Sequence, residues 1–506
     1  MTATYDCDVV IAGGGPVGLM LASELRIARV ETVVLERLAE RSPHSKAFGL
    51  HARSLEVLDL RGLVDRFRDG ARSWNNGHFA GLDSWVDFSV LDSNHAYALL
   101  VQQTRTEELL EERALELGTD LRRQHEITAV RQDDDAVYVS VTGPDGPYEL
   151  RTKYLVGADG GRSLVRKAAN IDFPGSGGRV TARLGDVILA DGERAPMGME
   201  RTERGLIFCV PLEEGYHRIA TFDFDTNRKE PGEELTLDEL KACMVRIWGE
   251  DYGMRDARWL SWFTDSARQA DRYREGRVLI AGDAAHTHFP VGGQGLNLGL
   301  QDAFNLGWKL AAQIHGWASE HLLDSYDAER QAPARRVIEN TRAQIALMNP
   351  ESYVTPLRDL VTSLMGLDQV NLFIAEMLSG VNVRYELAGE QHRLLGDFAS
   401  DLELETADGR TRLAEQMRRG NALLLNLSDR PEVDEVVQAW ADKVDAAGGW
   451  SGRVKRVVAT SKQEPDLAGL LVRPDGYVAW AADKDATPER LRAGLAEALD
   501  QWFGVR

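Results

Sequence analysis

The chain is short of positive charge and of cysteine, and each shortage narrows what it can be. Acidic residues exceed basic ones enough to give a formal net charge of −21. That argues against nucleic acid or an anionic membrane as a partner, since both attract basic surfaces. A local phosphate site remains open, because helix N-termini and single basic residues act over short range. The three cysteines, Cys7, Cys209 and Cys243, form no CxxC pair. This excludes a dithiol reductase and fits a reducing cytoplasm. No apolar run approaches the length of a membrane span. No basic segment followed by an apolar stretch opens the chain, so no secretory leader is expected. Internal repeats and low-complexity tracts are missing as well. The expectation is a soluble cytoplasmic protein with no membrane and no nucleic-acid partner.

What is present is an ordinary globular composition, 43% hydrophobic and 27% charged, over 506 residues. That length is too great for one compact core and implies two or three domains. Asp8–Ala12 reads as a buried parallel strand, Pro16–Ala28 as a helix and Glu31–Glu36 as a second strand, a complete β-α-β unit. Further strands are expected at Ala136–Val141, Tyr154–Val156 and Arg277–Ala281, and a long helix from about Asn297 to Ile314. Between about 180 and 266 the texture changes to the alternation of antiparallel strands, as in Leu206–Val210 and Arg218–Phe224. Residues from Leu322 to Glu386 look helical. Beyond 394 come strands at Ala422–Leu427 and Val454–Thr460, a hairpin at Leu470–Ala482 turning on Asp475-Gly476, and a last helix from Thr487.

Three stretches carry chemistry. Gly13-Gly14-Gly15-Pro16-Val17-Gly18 satisfies GxGxxG after a strand and before a helix. Gly13 permits the turn, Gly15 lets backbone approach a pyrophosphate, and Gly18 lets helix and strand pack closely. Glu36 ends the next strand about 20 residues on, where a carboxylate accepts from ribose hydroxyls. Together these point to dinucleotide binding. The second stretch, Tyr154–Arg166, places Asp159-Gly160 after a strand. In the third, Arg277–Gln301, a strand delivers Asp283, suited to a ribityl chain, and a glycine loop (Gly292, Gly293, Gly295) opens a helix at Leu296-Asn297. That helix start would set positive potential beside a flavin ring. There is no second GxGxxG after a strand, so any nicotinamide cofactor must dock transiently in the same cleft.

GGGPVG with Glu36, GADGGRS and AGDAAHTHFPVGGQGLNLGLQDAFNLGWKLA together resemble the fingerprints of single-component FAD-dependent aromatic hydroxylases. The resemblance covers essentially the whole chain. It is closest to hydroxylases of aromatic polyketides, including angucycline and anhydrotetracycline hydroxylases, and to rifampicin monooxygenases. GLHARSLEVLDLRGL, QQTRTEELL, RQADRYREGRVLIAGDAAH and LLVRPDGYVAW point to that subgroup.

The resemblance implies an α/β fold with four parts. These are a Rossmann-like FAD-binding domain (1–179, with a substrate-side excursion near 74–101), an inserted β-sheet substrate domain (180–266), the second part of the FAD domain with a helical linker (267–393), and a C-terminal thioredoxin-like domain (394–506) that lacks redox cysteines. It implies non-covalent FAD, NADPH as a transient co-substrate, O₂, and a polycyclic aromatic small molecule as substrate. The reaction would be hydroxylation through a flavin C4a-hydroperoxide in antibiotic biosynthesis. Drug inactivation and Baeyer–Villiger oxidation are alternatives within the same chemistry, and a flavin halogenase or dehydrogenase is an alternative outside it. Halogenases of the tryptophan type carry WxWxIP, which this chain lacks. A homodimer is left open.

Residue by residue, Gly13, Gly15, Val17 and Gly18 would lie at the pyrophosphate, and Glu36, Arg37 and the Ile127 backbone at the adenosine. Gln103, Lys46 and Asp283 would meet the ribityl and phosphate groups, with lysine standing where many relatives have the forked arginine. Gly295, Leu296 and Asn297 would meet the flavin ring, Pro290 would lie near its reactive edge, and Asp159 would order both cofactors. No general base is named. His286 and His288 are read as structural and not as metal ligands, and no metal is expected. His51 is balanced between an active-site role and a buried hydrogen bond. Trp74, Phe79, Trp85, Phe88, Phe208 and Trp262 are candidates for a pocket wall, with core packing the alternative at each.

Overall fold

The computed structural model describes residues 4–224, 233–319, 321–389 and 391–504. Cys7–Ala12 is the central strand of an eight-stranded sheet, and its Val9, Val10 and Ile11 are fully buried. A strand buried on both faces runs parallel to its neighbours. Here those neighbours are Thr32–Glu36 and Gly146–Gly157. Outside them lie Asp120–Arg123 on one flank and Val278–Ile280 on the other, again parallel. Gly146–Gly157 runs beyond this core to pair with Val137–Gly143, which pairs in turn with Glu126–Gln132.

The alternating stretches belong to a five-stranded antiparallel sheet. Its order is Gly198–Thr202, Gly205–Pro211, Tyr216–Asp223, Thr181–Leu189, Met254–Thr264. The helix Leu237–Trp248 covers one face, started by a Thr236/Glu239 capping box and stopped by Gly249. The other face joins a second apolar cluster with Phe79, Phe88 and Phe289. The expected helical stretch resolves into Ser325–Met348, Thr355–Met365 and Asp368–Ser379. At the C-terminal end a four-stranded sheet runs Val454–Val458, Ala422–Asn426, Leu467–Val472, Val478–Asp483, with helices Pro431–Ala446 and Pro488–Phe503. A small hairpin, Glu403–Thr406 with Gly409–Arg412, was not foreshadowed by the sequence pattern.

The core does not respect a division at 394. Leu404, Leu423 and Leu470 share one apolar cluster with Val9, Leu55 and Leu306. Trp308 and Ala312, near the end of the long helix Gln294–Ile314, pack among Leu424, Trp440, Leu495 and Phe503. Polar contacts cross the same line. Fully buried Arg473 places two nitrogens 2.7 Å from the Glu329 carboxylate and also bonds Asp475. Lys309 Nζ lies 2.7 Å from Glu329 Oε2, and Asn305 donates to both Glu329 and Asp475. Arg61 spans Glu24, the Met417 carbonyl and the Pro474 carbonyl.

Burial alone would push the Glu329 carboxyl up, but Arg473 and Lys309 overcome it and hold the pKa at about 2, against an ordinary 4.5. The folded state therefore binds this proton less tightly than the unfolded chain. The resulting stabilisation is complete above about pH 4.5 and is lost as pH falls toward 2. Urea midpoints at about pH 5.5 and about pH 3 should show that loss, and Glu329→Gln should flatten the difference. Equal pH dependence in the two proteins would place the acid lability elsewhere.

Candidate functional site

The glycine turn is fixed by contacts that leave no room for side chains. A methyl group at Gly18 would sit 2.1 Å from the Gly13 carbonyl oxygen, and one at Gly13 2.4 Å from that of Ala158. At Gly15 a methyl group would meet nothing within 4 Å, so the space before the helix is open. The helix starts there with Pro16 in its first turn and no side-chain cap. Among the described residues no backbone partner takes the Val17 or Gly18 amide, as expected in the first turn of a helix. Glu36 closes the turn, with one carboxylate oxygen accepting from Gly14 N–H at 2.8 Å and the other from Leu38 N–H at 2.9 Å.

Val17 links this turn to the third motif. Methyl groups at Gly282 and Gly299 would lie 2.9 and 2.6 Å from its side chain, so three elements meet around one valine. Asp283 follows Gly282, is exposed, and has no hydrogen-bond or ion-pair partner among the described residues. Below it Asp302 is fully buried. It accepts from Gly282 N–H at 3.1 Å and His286 Nε2 at 2.6 Å on one oxygen, and from Arg330 Nε at 2.7 Å on the other. Burial opposes the Asp302 charge, but His286 and Arg330 outweigh it and hold the carboxyl below its ordinary value. Arg330 also reaches the Leu298 carbonyl and the Tyr385 hydroxyl.

The long helix begins after Gly292 and Gly293, whose φ values of 79° and 65° lie in the left-handed region that glycine enters without strain. Its N-cap carries no side-chain bond. Asn297 ties the start down: its amide nitrogen donates to the Gly293 and Gly49 carbonyls, and its oxygen accepts from His51 N–H. His51 donates from Nε2 to the Gly292 carbonyl at 3.0 Å, stacks edge-on against Phe88, and is held neutral by burial. The ring thus makes the buried hydrogen bond of one of the two readings, while its Nδ1 is buried without a partner.

The other expected residues fall as follows. Asp159 accepts from the Leu164 and Val165 amides, which orders the GADGGRS turn, and its second oxygen is buried without a partner. The Gln103 side chain is already engaged by Ala47 N–H and Glu107. Lys46 and Arg37 are exposed, Ile127 lies in the outer strand opposite Val141, and Pro290 is exposed on the loop before Gly292. Gly295 and Leu296 form the first turn of the long helix, and His288 Nε2 faces Gly295. His286 is spent on Asp302 and His288 Nδ1 on the Phe289 carbonyl.

Of the pocket-wall candidates, Phe79 and Phe88 are core residues, Phe208 and Trp262 are half-buried, and Trp74 and Trp85 lie on the surface. Sequence reasoning missed Asp302 and Arg330. The available signal was a carboxylate on the buried stripe of an amphipathic helix, which demands a counterion.

The glycine turn, a second uncapped helix start and an exposed carboxylate without a partner stand on a mixed α/β fold. Residues 6–341 match the family described as FAD binding domain, and 392–505 match the aromatic-ring hydroxylase C-terminal family. The chain belongs to the FAD binding domain family and is a flavin-dependent monooxygenase. It is 47% identical to the 12-dehydrotetracycline 5-monooxygenase/anhydrotetracycline 6-monooxygenase of Streptomyces rimosus, over 98% of this chain and 99% of the relative. It is 42% identical to a rifampicin monooxygenase of Streptomyces venezuelae, over 98% and 99%. A crystal structure of an aromatic hydroxylase from angucycline biosynthesis superposes with a TM-score of 0.90 at 40% identity, over 99% of this chain and all of the other. Among the described residues no helix is long and apolar enough to cross a membrane.

Replacing Asp302 by Asn keeps the shape but leaves Arg330 as a buried cation without its counterion. The expected loss is about 3–5 kcal/mol of stability, read from urea unfolding. A variant as stable as the parent would show that the buried charge is neutralised in another way.

Proposed function

We propose that the chain hydroxylates an aromatic polyketide in antibiotic biosynthesis, using FAD, O₂ and a transiently docked NADPH. The supporting observation is the meeting of Gly282 and Gly299 at Val17, which brings together the open Gly15 turn, the loop that carries the unpartnered Asp283 carboxylate and the long helix that begins after Gly293. This donor set suits FAD: amides for the pyrophosphate, a carboxylate for the ribityl hydroxyls, and a helix N-terminus for the pyrimidine edge. The likeness to tetracycline and angucycline hydroxylases supports an aromatic polyketide as substrate.

In this reading Gly13, Gly15, Val17 and Gly18 hold the pyrophosphate, while Glu36, Arg37 and the Ile127 backbone hold the adenosine. Each Glu36 oxygen keeps a lone pair for a ribose hydroxyl. Asp283, Lys46 and Gln103 meet the ribityl and phosphate groups. Gly295, Leu296 and Asn297 meet the ring beside the Pro290 loop, and Asp159 orders the turn facing both cofactors. Bound flavin would supply electron transfer and oxygen activation. The chain contributes binding, orientation and exclusion of water. The parts at 1–179, 180–266, 267–393 and 394–506 are assigned as a Rossmann-like FAD domain, substrate sheet, FAD domain with linker, and thioredoxin-like domain.

Two experiments test this. Gly15→Ala fills only the open cradle, so it should fold normally and bind FAD at least about tenfold more weakly. Gly18→Ala strikes backbone and should cost roughly 1–3 kcal/mol of stability. Unchanged FAD affinity in Gly15→Ala would move the pyrophosphate elsewhere. In anaerobic stopped flow, a polycyclic phenolic polyketide should accelerate bleaching of the oxidised flavin by NADPH, with a hydroxylated product after O₂ is admitted. Rapid flavin reduction with no oxygenated product from any such compound would favour a dehydrogenase.

A further inference from the structure

The helices Thr355–Met365 and Asp368–Ser379 form a hairpin apolar on both sides. Its inner side is anchored. Arg358, Met365, Ile374, Ala375 and Leu378 are buried, and Arg358 donates to the carbonyls of Ala80, Gly81 and Leu347. Asn371 exchanges two hydrogen bonds with the Asp87 backbone, at 2.9 and 3.1 Å. The outer side carries Tyr353, Leu357, Leu360, Leu364, Leu367, Leu372 and Phe373, which are 37 to 74% exposed. A helix on the surface of a lone molecule turns polar residues outward. Here the exposed charges between 353 and 373 are Asp359 and Asp368 alone, in a chain whose residues are 27% charged.

We infer that this outer face is the contact between two copies of the chain, paired about a twofold axis through the hairpin. With ~200 Å² for each aromatic and on the order of 100 Å² for each leucine, the seven exposed side chains offer on the order of 500 Å² of apolar surface. That lies in the upper half of the ~300–600 Å² of the largest, often functional, patch on a monomer, and it would supply most of the apolar share of the ~800 Å² each partner gives a stable interface. An almost uncharged centre suits a homodimer, whose interfaces are more apolar than transient ones. It also suits an isologous contact, in which one surface must complement itself. No exposed lysine or arginine stands on this face to meet lipid headgroups, which tells against a membrane. The helices present an outward face, not a concave cavity, which tells against a small ligand.

The test uses the FAD-loaded full chain, with gel filtration and light scattering to give its mass in solution. A dimer is expected at about 10 µM, tightened when salt rises from about 0.1 to about 0.5 M, because the two copies face each other with like acidic charges. Leu360→Glu should raise the dimer dissociation constant at least about 100-fold with FAD content unchanged. Phe373→Ser serves as a second variant should the first lose its flavin spectrum. A native chain that stays monomeric at about 100 µM overturns the proposal. So do variants that remain dimeric, association weakened by salt, or a monomer that sediments with phosphatidylcholine or phosphatidylglycerol vesicles.

Discussion

The fold depends on burying a 21-residue helix that carries charge along its buried length. Gln294–Ile314 is enclosed over most of its surface, yet Asp302, Asn305 and Lys309 point into the interior. An ionised group out of water must find counterions or neutralise. The two charged residues find counterions on the neighbouring helix Ser325–Met348, and Asn305 bonds Glu329 there as well. Asp302 takes His286 and Arg330, and Lys309 takes Glu329, which in turn takes Arg473. Glu329 and Arg330 are consecutive residues of one helix, so a single point on Ser325–Met348 serves both clusters. One hangs under the Asp283 loop and the other under the C-terminal hairpin.

Steric constraint does the complementary work at the mouth of the site. Gly13 and Gly18 are small because backbone lies where a side chain would be, whereas Gly15 is small although nothing in the protein touches it. The first pair is explained by packing. The opening at Gly15 is the space that the proposed reading fills with a pyrophosphate.

The parallel unit, the inserted antiparallel sheet and the C-terminal strands were legible because their apolar periodicities differ and glycine punctuates them. The predicted strand Ala136–Val141 appears as Val137–Gly143, and the predicted helix Pro16–Ala28 as Pro16–Ile27. The glycine motif announced the tight turn at Gly13 and Gly18 for the same reason, since close backbone approach leaves a local mark. What stayed hidden was long-range. Nothing near Asp302 in the chain announces Arg330, and Arg473 lies still farther from Glu329. Trp74 and Trp85 misled because aromatic character does not say which face a short strand turns inward; both point outward.

The C-terminal region has no cysteine with which to act, yet it cannot be a passive appendage. It contributes Arg473 and Asp475 to a cluster from which water is excluded, and Pro474 and Met417 carbonyls to the buried Arg61–Glu24 pair. Were it absent, Glu329 and Lys309 would still neutralise each other, but Trp308 and Ala312 on the long helix would be uncovered. The helix would then lose its apolar cover at one end while keeping its charges at the other. The same helix packs against the Gly282–Asp283 loop at Gly299, so support given at its far end is carried to that loop through a rigid element. A region without cysteine thereby braces the helix that reaches the Asp283 loop.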